Sequence, residues 1–442
     1  MPGMLDTVVN AWKSVDIRKK ILFTLAMLVV YSIGKVIPVP GIDQAQFTEL
    51  LKQLGQLGQL MDIISGGALN QVSLFAMGIT PYINSSIILQ LLTVAIPALE
   101  RLQKEGEEGR KKITRITRYV TIGLALFQAT AFWYATRSAM SSTLPGFFAA
   151  ILIIVSFTAG TAFIMWIGEK IDQFGVGNGI SLLIFAGIVS RGPQMVTGFI
   201  VALKDWSYSI GKAAASSVAG VLATIPLGLL VLAFAVGIVA LVVFVSTAER
   251  RIPVQYAKRV VGRKQYGGQN TYLPIKVNSA GVLPVIFAMS LLSMPSTIVS
   301  FFFANSTGKV ATFFKDFANQ PIYYVAYALL IVGFTFFYSM IQFNPVEIAN
   351  NLQKNGGFIP GIRPGRPSSD FILRTSRRLN WFDALFLIII VLTPVLLGAL
   401  TKSSSSLWFG GTAILIVVGV SLDLIKQLES QMLMRHYKGF LD

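Results

Sequence analysis

Ten apolar stretches, each near or above the roughly 20 residues that cross a bilayer as a helix, divide this chain almost from end to end. They run near Ile21 to Val39, Leu74 to Ile96, Tyr119 to Ala135, Phe147 to Ile167, Ile180 to Ile200, Val218 to Val245, Gly281 to Phe303, Ile322 to Phe343, Trp381 to Leu400 and Leu407 to Leu424. A soluble core cannot use so many. Of the 442 residues, 54% are hydrophobic and 13% charged, far from the balance of a soluble globular chain. The pattern predicts an all-α polytopic membrane protein with ten transmembrane helices, the fifth interrupted by Arg191-Gly192-Pro193.

Positive charge sets the expected orientation, because cytoplasmic loops retain Lys and Arg. Of the 37 such residues, 28 lie in the first 20 residues, in the gaps that follow even-numbered helices and in the C-terminal segment, whereas the opposite loops hold 8. Both termini are therefore expected on the cytoplasmic side of the membrane. Val39-Pro40-Gly41-Ile42 offers no small-residue cleavage pattern, so the first helix reads as a retained anchor. The absence of cysteine excludes disulfides and thiolate metal sites, and the lone His436 stands beside Arg435 and Lys438 as an ordinary solvated residue.

The chemistry of carriers and enzymes is missing. Secondary transporters place carboxylates or histidines in mid-membrane to couple ions, yet Glu169, Asp172, Glu249, Glu347 and Asp383 all read as solvated charges at span ends. No GxxxxGK[ST] phosphate loop occurs, and no nucleophile or metal set stands out. A secondary transporter remains the alternative to a channel, and solute flux is the measurement that separates them. The expectation is a non-enzymatic protein without cofactor, driven by a partner.

The second apolar segment is the odd one. ISGGALNQVSLFAMGITPYINSSIILQLL, Ile64 to Leu92, opens on Ser65-Gly66-Gly67, passes Asn70-Gln71 and carries Pro81, Asn84, Ser85, Ser86 and Gln90 into the span. Two cytoplasmic gaps are long and basic. Glu249 to Lys276 alternates seven basic residues with apolar ones around Gly267-Gly268, which predicts a protruding hairpin. Asn344 to Pro367 begins amphipathically and continues Gly/Pro-rich, presenting Arg363 and Arg366. Such surfaces suit anionic lipid head groups, ribosomal RNA phosphates or an acidic protein face.

GVGNGISLLIFAGI from Gly175, ERRIPVQYAKR from Glu249, LPIKVNSAGVLPVIFA from Leu273, NPVEIANNLQKNGGFIPGIRPG from Asn344 and FGGTAILIVV from Phe409 together resemble bacterial SecY, the channel subunit of the protein-conducting translocon. The resemblance runs from about Asp16 to the last helix. It implies two pseudo-symmetric inverted halves, residues 21–200 and 218–425, joined by an external hinge loop at 201–217, with a cytoplasmic N-terminus (1–20), cytoplasmic loops near 246–276 and 344–380, and a tail at 426–442. Its implied partners are the small subunits SecE and SecG, the SecA ATPase, the ribosome, signal peptides and nascent chains, and membrane lipids.

Residue roles follow from the same resemblance. A plug helix on the external side of the pore, about 62–73, takes in Ile63, Ile64, Ser65, Gly66, Gly67, Ala68, Leu69, Asn70 and Gln71, and this accounts for the broken segment, since non-spanning backbone is tolerated where it lines an aqueous cavity. The pore ring falls on Ile79, Ile83, Ile180, Ile184, Ile286 and Ile416. The lateral gate falls on Gln90, Asn278 and Thr117, with Arg118 beside it at the start of the third helix. Arg250, Arg251, Lys258, Arg259, Arg263, Lys264 and Arg363 are implied to dock SecA or the ribosome. Tyr272, standing where the family commonly has His, and Gln103 with Glu108 depart from the pattern without touching ring or gate.

Overall fold

The computed structural model describes residues 11–44, 46–47, 66–135, 146–193, 197, 233, 236–256, 259–261, 264–266, 270–302, 308–315, 317, 320–401 and 410–438. Each of the ten apolar runs carries a helix among them. In chain order these elements are α1 (Val15–Gly34), α2 (Thr80–Ala95), α3 (Pro97–Lys104), α4 (Glu107–Ala135), α5 (Gly146–Phe174), α6 (Gly179–Ser190) and α7 (Val236–Thr247). Four strands follow: β1 (Glu249–Tyr256), β2 (Arg259–Val261), β3 (Lys264–Tyr266) and β4 (Asn270–Lys276). The chain closes with α8 (Leu283–Phe302), α9 (Lys309–Lys315), α10 (Pro321–Gln342), α11 (Pro345–Lys354), β5 (Gly357–Phe358), α12 (Arg366–Thr401) and α13 (Gly410–Lys438).

Helix ends differ from the hydropathy limits for a physical reason. α4 starts at Glu107 and α12 at Arg366, well before their apolar runs at Tyr119 and Trp381, because Arg, Lys and Glu are good helix formers and the backbone stays helical where the side chains become cytoplasmic. α6 stops at Ser190, where the Arg191-Gly192-Pro193 interruption was expected to act. Pro97 ends the run of α2 through the restriction that proline places on Ile96, whose ψ of 113° is extended, and α3 leaves at 100° to α2. Of the sixth apolar run, 236–247 is described and is helical; the hinge loop 201–217 lies outside the described residues.

The chain packs as two compact units that interleave in sequence: Met1–Thr197 with Met289–Tyr323 and Val420–Asp442, and Gly198–Ala288 with Tyr324–Gly419. In the first unit, Phe132, Phe157, Ile153 and Ala129 of α4 and α5 enclose Leu69, Val72 and Ala76, so the segment before α2 is built into a helical core. A second cluster joins Ala11 and Ile17 to Val176 and Leu428.

The expected hairpin is present in the second unit. β1 pairs antiparallel with β4 from Glu249↔Lys276 to Gln255↔Asn270, β2 pairs with β3 at its far end, and β5 adds to the other edge of β1 in the order β4-β1-β5. Alternation decides which face is buried. Ile252 and Ile275 turn inward onto Ile359, Ala349 of α11 and Ile372 of α12; Arg251 stands on the opposite face, and Arg250, which shares the inward face at the start of the strand, is exposed there. α11 is capped by the Asn344 side chain, which accepts from the Glu347 N–H at 3.3 Å.

Candidate functional site

The segment expected to form the plug is described from Gly66 onward; Ile63, Ile64 and Ser65 lie outside the described residues. From Gly66 to Ile79 it runs as turns rather than the expected helix. Its carbonyls and amides are taken up by short-range and cross-chain bonds instead: Ser73 N–H donates to Ala68 O, and the 37–39 strand fragment pairs with 72–74 through Val39 N–H to Val72 O and Leu74 N–H to Ile37 O, both at 2.9 Å. Val72 has a φ of 47°, a costly conformation for a β-branched residue that this packing over-determines. Ala68 and Leu69 are buried, while Asn70 and Gln71 are exposed.

Ile79 and Ile83 lie one turn apart at the start of α2, both buried, with the Ile83 N–H bonded to Ile79 O at 3.0 Å. Ile180 and Ile184 share one face of α6 by the same i, i+4 spacing and are half-buried. These four belong to the first unit; Ile286 of α8 and Ile416 of α13 belong to the second.

A tight joint sets the start of α6. The Asp172 carboxylate accepts from the Gly179 N–H at 2.7 Å and the Asn178 side chain accepts from the Ser181 N–H at 3.0 Å, which satisfies two of the open donors of the helix end. A Cβ on Gly179 would stand 2.0 Å from Gly168 O, and one on Gly168 would stand 2.6 Å from the Ile180 side chain. Gly179→Ala is expected to cost several kcal/mol, on the order of the rarer large single-site losses, and to show as a reduced level of membrane-integrated, protease-resistant protein; parental levels would mean that α5 and α6 separate at little cost.

The gate residues are placed differently from one another. Gln90, half-buried, donates to Ser86 Oγ at 3.1 Å within α2, and Thr117 donates to Ile113 O at 2.9 Å within α4. Thr117 and Arg118 are not at the start of their helix, as the sequence suggested, but about three turns inside it. Arg118 pairs with Glu169 of α5 at 2.6 Å. Asn278 is buried in the bend before α8 and its Oδ1 has no hydrogen-bond partner among the described residues. A contact between α2, which carries Gln90, and α8, which follows Asn278, was not anticipated: Ser290 of α8 donates to the Asn84 Oδ1 of α2, and both side chains are buried.

Two acidic assignments need correction. Asp383 is not a solvated end charge; it is 1% exposed, 17 residues into α12, and its Oδ1 has no hydrogen-bond partner among the described residues. Glu169 is held in the ion pair with Arg118 rather than free at its helix end.

Among the docking residues, Arg250 and Arg251 are exposed on β1, and Arg363 is exposed in the loop between β5 and α12. Arg259 and Lys264 lie on the β2–β3 hairpin, and Lys258 and Arg263 lie outside the described residues. Arg363 O accepts from the Ser368 hydroxyl at 2.9 Å, and Ile359 and Ile362 on its N-terminal side enter the core beneath the sheet, so the loop is anchored while the guanidinium is presented.

Apolar helices in series, with a buried segment built of turns leading into one of them, define a polytopic membrane protein. The SecY family profile matches residues 73–425. The protein translocase subunit SecY of Streptomyces scabiei is 45% identical over 453 residues, covering 99% of this chain and all of that one. That of Corynebacterium glutamicum is 43% identical over 459 residues with the same coverage. A solved protein-conducting channel superposes with a TM-score of 0.62 at 20% identity, over 95% of this chain and 93% of the other, and Sec61 from the canine ribosome-channel complex with 0.57 at 19% identity over the same shares. This chain belongs to the SecY family. The secondary-transporter alternative finds no support among these relatives.

Proposed function

We propose that this chain is the protein-conducting channel of a bacterial Sec translocase, a non-enzymatic subunit of the plasma membrane that passes unfolded secretory polypeptides across and releases transmembrane segments sideways into lipid. The observation that carries this reading, beyond family membership, is the turn-built segment 66–79: buried backbone without helical hydrogen bonding, tied at 72–74 to the end of α1 and running directly into α2. Non-helical backbone at membrane depth is tolerated where it lines a cavity, and a movable stopper seated in the pore is the use this reading gives it. Ten spans in two inverted halves, hinged at 201–217, with both termini cytoplasmic, complete the reading. SecE- and SecG-like subunits accompany the chain. SecA or the translating ribosome supplies the drive through the basic surface of Arg250, Arg251, Arg259, Lys264 and Arg363, extended by Lys258 and Arg263.

Ile79, Ile83, Ile180, Ile184, Ile286 and Ile416 form the constriction. Branched apolar side chains can close around a moving chain while offering water and ions no polar partner. Gln90, Asn278 and Thr117, now with Asn84 and Ser290, line the gate. The test is reconstitution with the two small subunits: ATP-dependent protection of a secretory protein inside vesicles in the presence of SecA, with no uptake of small solutes. Vesicles that take up a small solute and protect no polypeptide would sink the reading. Within it, Ile83→Gly with Ile184→Gly is expected to raise resting ion conductance at least severalfold in planar bilayers; an equally tight double variant would remove these positions from the barrier.

A further inference from the structure

Lys35 follows α1 and is only 8% exposed. Its ammonium donates to Ser190 Oγ, the last residue of α6, at 2.7 Å, and lies 5.5 Å from the Tyr31 ring centroid. Ser190 passes its own proton on, donating to Gly187 O at 2.8 Å. Cation, hydroxyl and carbonyl are thus aligned in one direction, an arrangement in which each hydrogen bond polarises the next. The product of this chain is a fixed Gly187 backbone.

Gly66, at the beginning of the described plug segment, rests on that backbone. A Cβ on Gly66 would stand 2.7 Å from Gly187 Cα, 3.2 Å from Gly187 O and 3.0 Å from Lys35 Nζ. Its φ of 66° is left-handed, open to glycine at no steric cost. From the other side, a Cβ on Gly187 would meet Gly66 Cα and the Tyr31 hydroxyl, each at the ordinary contact distance of 3.5 Å. Tyr31 is itself immobilised by stacking on Phe75 of the same segment, ring centroids 5.9 Å apart. All of these groups lie within the first compact unit.

We propose that Lys35 is the positioning residue of the plug seat: acting through Ser190, its buried ammonium holds the Gly187 backbone in the place where Gly66 closes, and so sets how firmly the resting plug stays in. The inference rests on the reading of 62–73 as a plug. It assigns a regulatory task to a residue that lies outside the ring, the gate and the docking loops. The seat is adjustable because a buried ammonium is costly to keep from water unless each contact around it is retained, so loss of one contact shifts the balance toward release.

The chain has no cysteine, so a single Ala68→Cys reports plug position cleanly; Ala68 is fully buried in the seated segment. Vesicles containing this chain with its small subunits are treated from the external face with a membrane-impermeant maleimide. In the otherwise parental channel the thiol is expected to be protected at rest and labelled when a secretory chain is engaged; protection that does not change on engagement overturns both the plug reading and this inference. With that control met, Lys35→Met is expected to raise the resting labelling rate at least about tenfold, the shift that follows from losing its charge-assisted hydrogen bond to Ser190. Ser190→Ala is expected to raise it in the same direction, and the double variant no further than Lys35→Met alone, because one acts through the other. Gly66→Ala is expected to label most. Ile153→Cys, in the fully buried core of the same unit, must remain protected throughout; if Lys35→Met exposes it, Ser190→Ala decides. Unchanged or slower labelling in the deciding variant, or additive effects of the two, overturns the proposal.

Discussion

Arg363→Glu is expected to reduce SecA-driven translocation to near background while the protein still inserts and copurifies with its small subunits. The reason is that the loop is held by its backbone and not by the side chain that changes. Ile359 and Ile362 anchor it in the core under the sheet, the Ser368 hydroxyl is bonded to Arg363 O, and Gly361 and Gly365 flank it with φ of 79° and 94°. The guanidinium itself is exposed and makes none of these bonds. Charge reversal therefore leaves the fold intact and replaces attraction to an acidic partner with repulsion; truncating one side of such a contact costs about 2–5 kcal/mol when it is buried in the complex, and reversal more. The measurement is protease protection of a secretory protein in reconstituted vesicles, beside a SecA-binding titration. Unchanged binding and transport would remove Arg363 from the docking surface.

What the sequence made legible depended on how local the cause was. The hairpin of 249–276 was readable because alternation acts within a few residues, but the place of its turn was not: Val261 pairs with Lys264, so the chain reverses between them and not at the expected Gly267-Gly268, which lie outside the described residues. The end of α6 was readable from three consecutive residues. β5 was not, since a two-residue strand has no pattern of its own and exists only because β1 leaves an edge open above α11. The cytoplasmic extensions of α4 and α12 were hidden because hydropathy reports the solvent around a helix and not its backbone. Asp383 was misread for the opposite reason: position near the edge of an apolar run says nothing about which way a side chain faces, and this one faces inward. The ring and gate positions came from resemblance alone, as isoleucines and amides in a membrane helix carry no local mark of function. Asn84 and Ser290, 206 residues apart, could be paired only in three dimensions.

That pair gives the gate prediction its sign. Gln90 and Asn278 were the gate amides suggested by sequence, and replacing both with Leu is still expected to raise the hydrophobicity that a signal needs. The Gln90 bond to Ser86 runs within α2, whereas the bond from Ser290 to Asn84 joins α8 to α2. Ser290→Ala breaks that bond. It deletes the hydroxyl that donates to the Asn84 amide and leaves a buried carbonyl unpaired, at a cost of about 1–3 kcal/mol to the closed state. A gate opens when an incoming signal helix offers more than the seam it displaces, so weakly apolar signals should enter about tenfold more often or better. Asn84→Leu combined with Ser290→Ala has the opposite expectation. Both polar partners are then gone, no group is left unsatisfied, and the seam becomes continuous apolar contact that contributes on the order of 1–2 kcal/mol to closure. The threshold should return to the parental value or rise above it. The two variants are compared by export of reporters whose signal cores differ by single Leu-for-Ala steps. A Ser290→Ala channel with an unchanged or higher threshold would show that the Asn84 contact does not hold the gate closed, and a double variant more permissive than the single would show that volume, and not polarity, governs this seam.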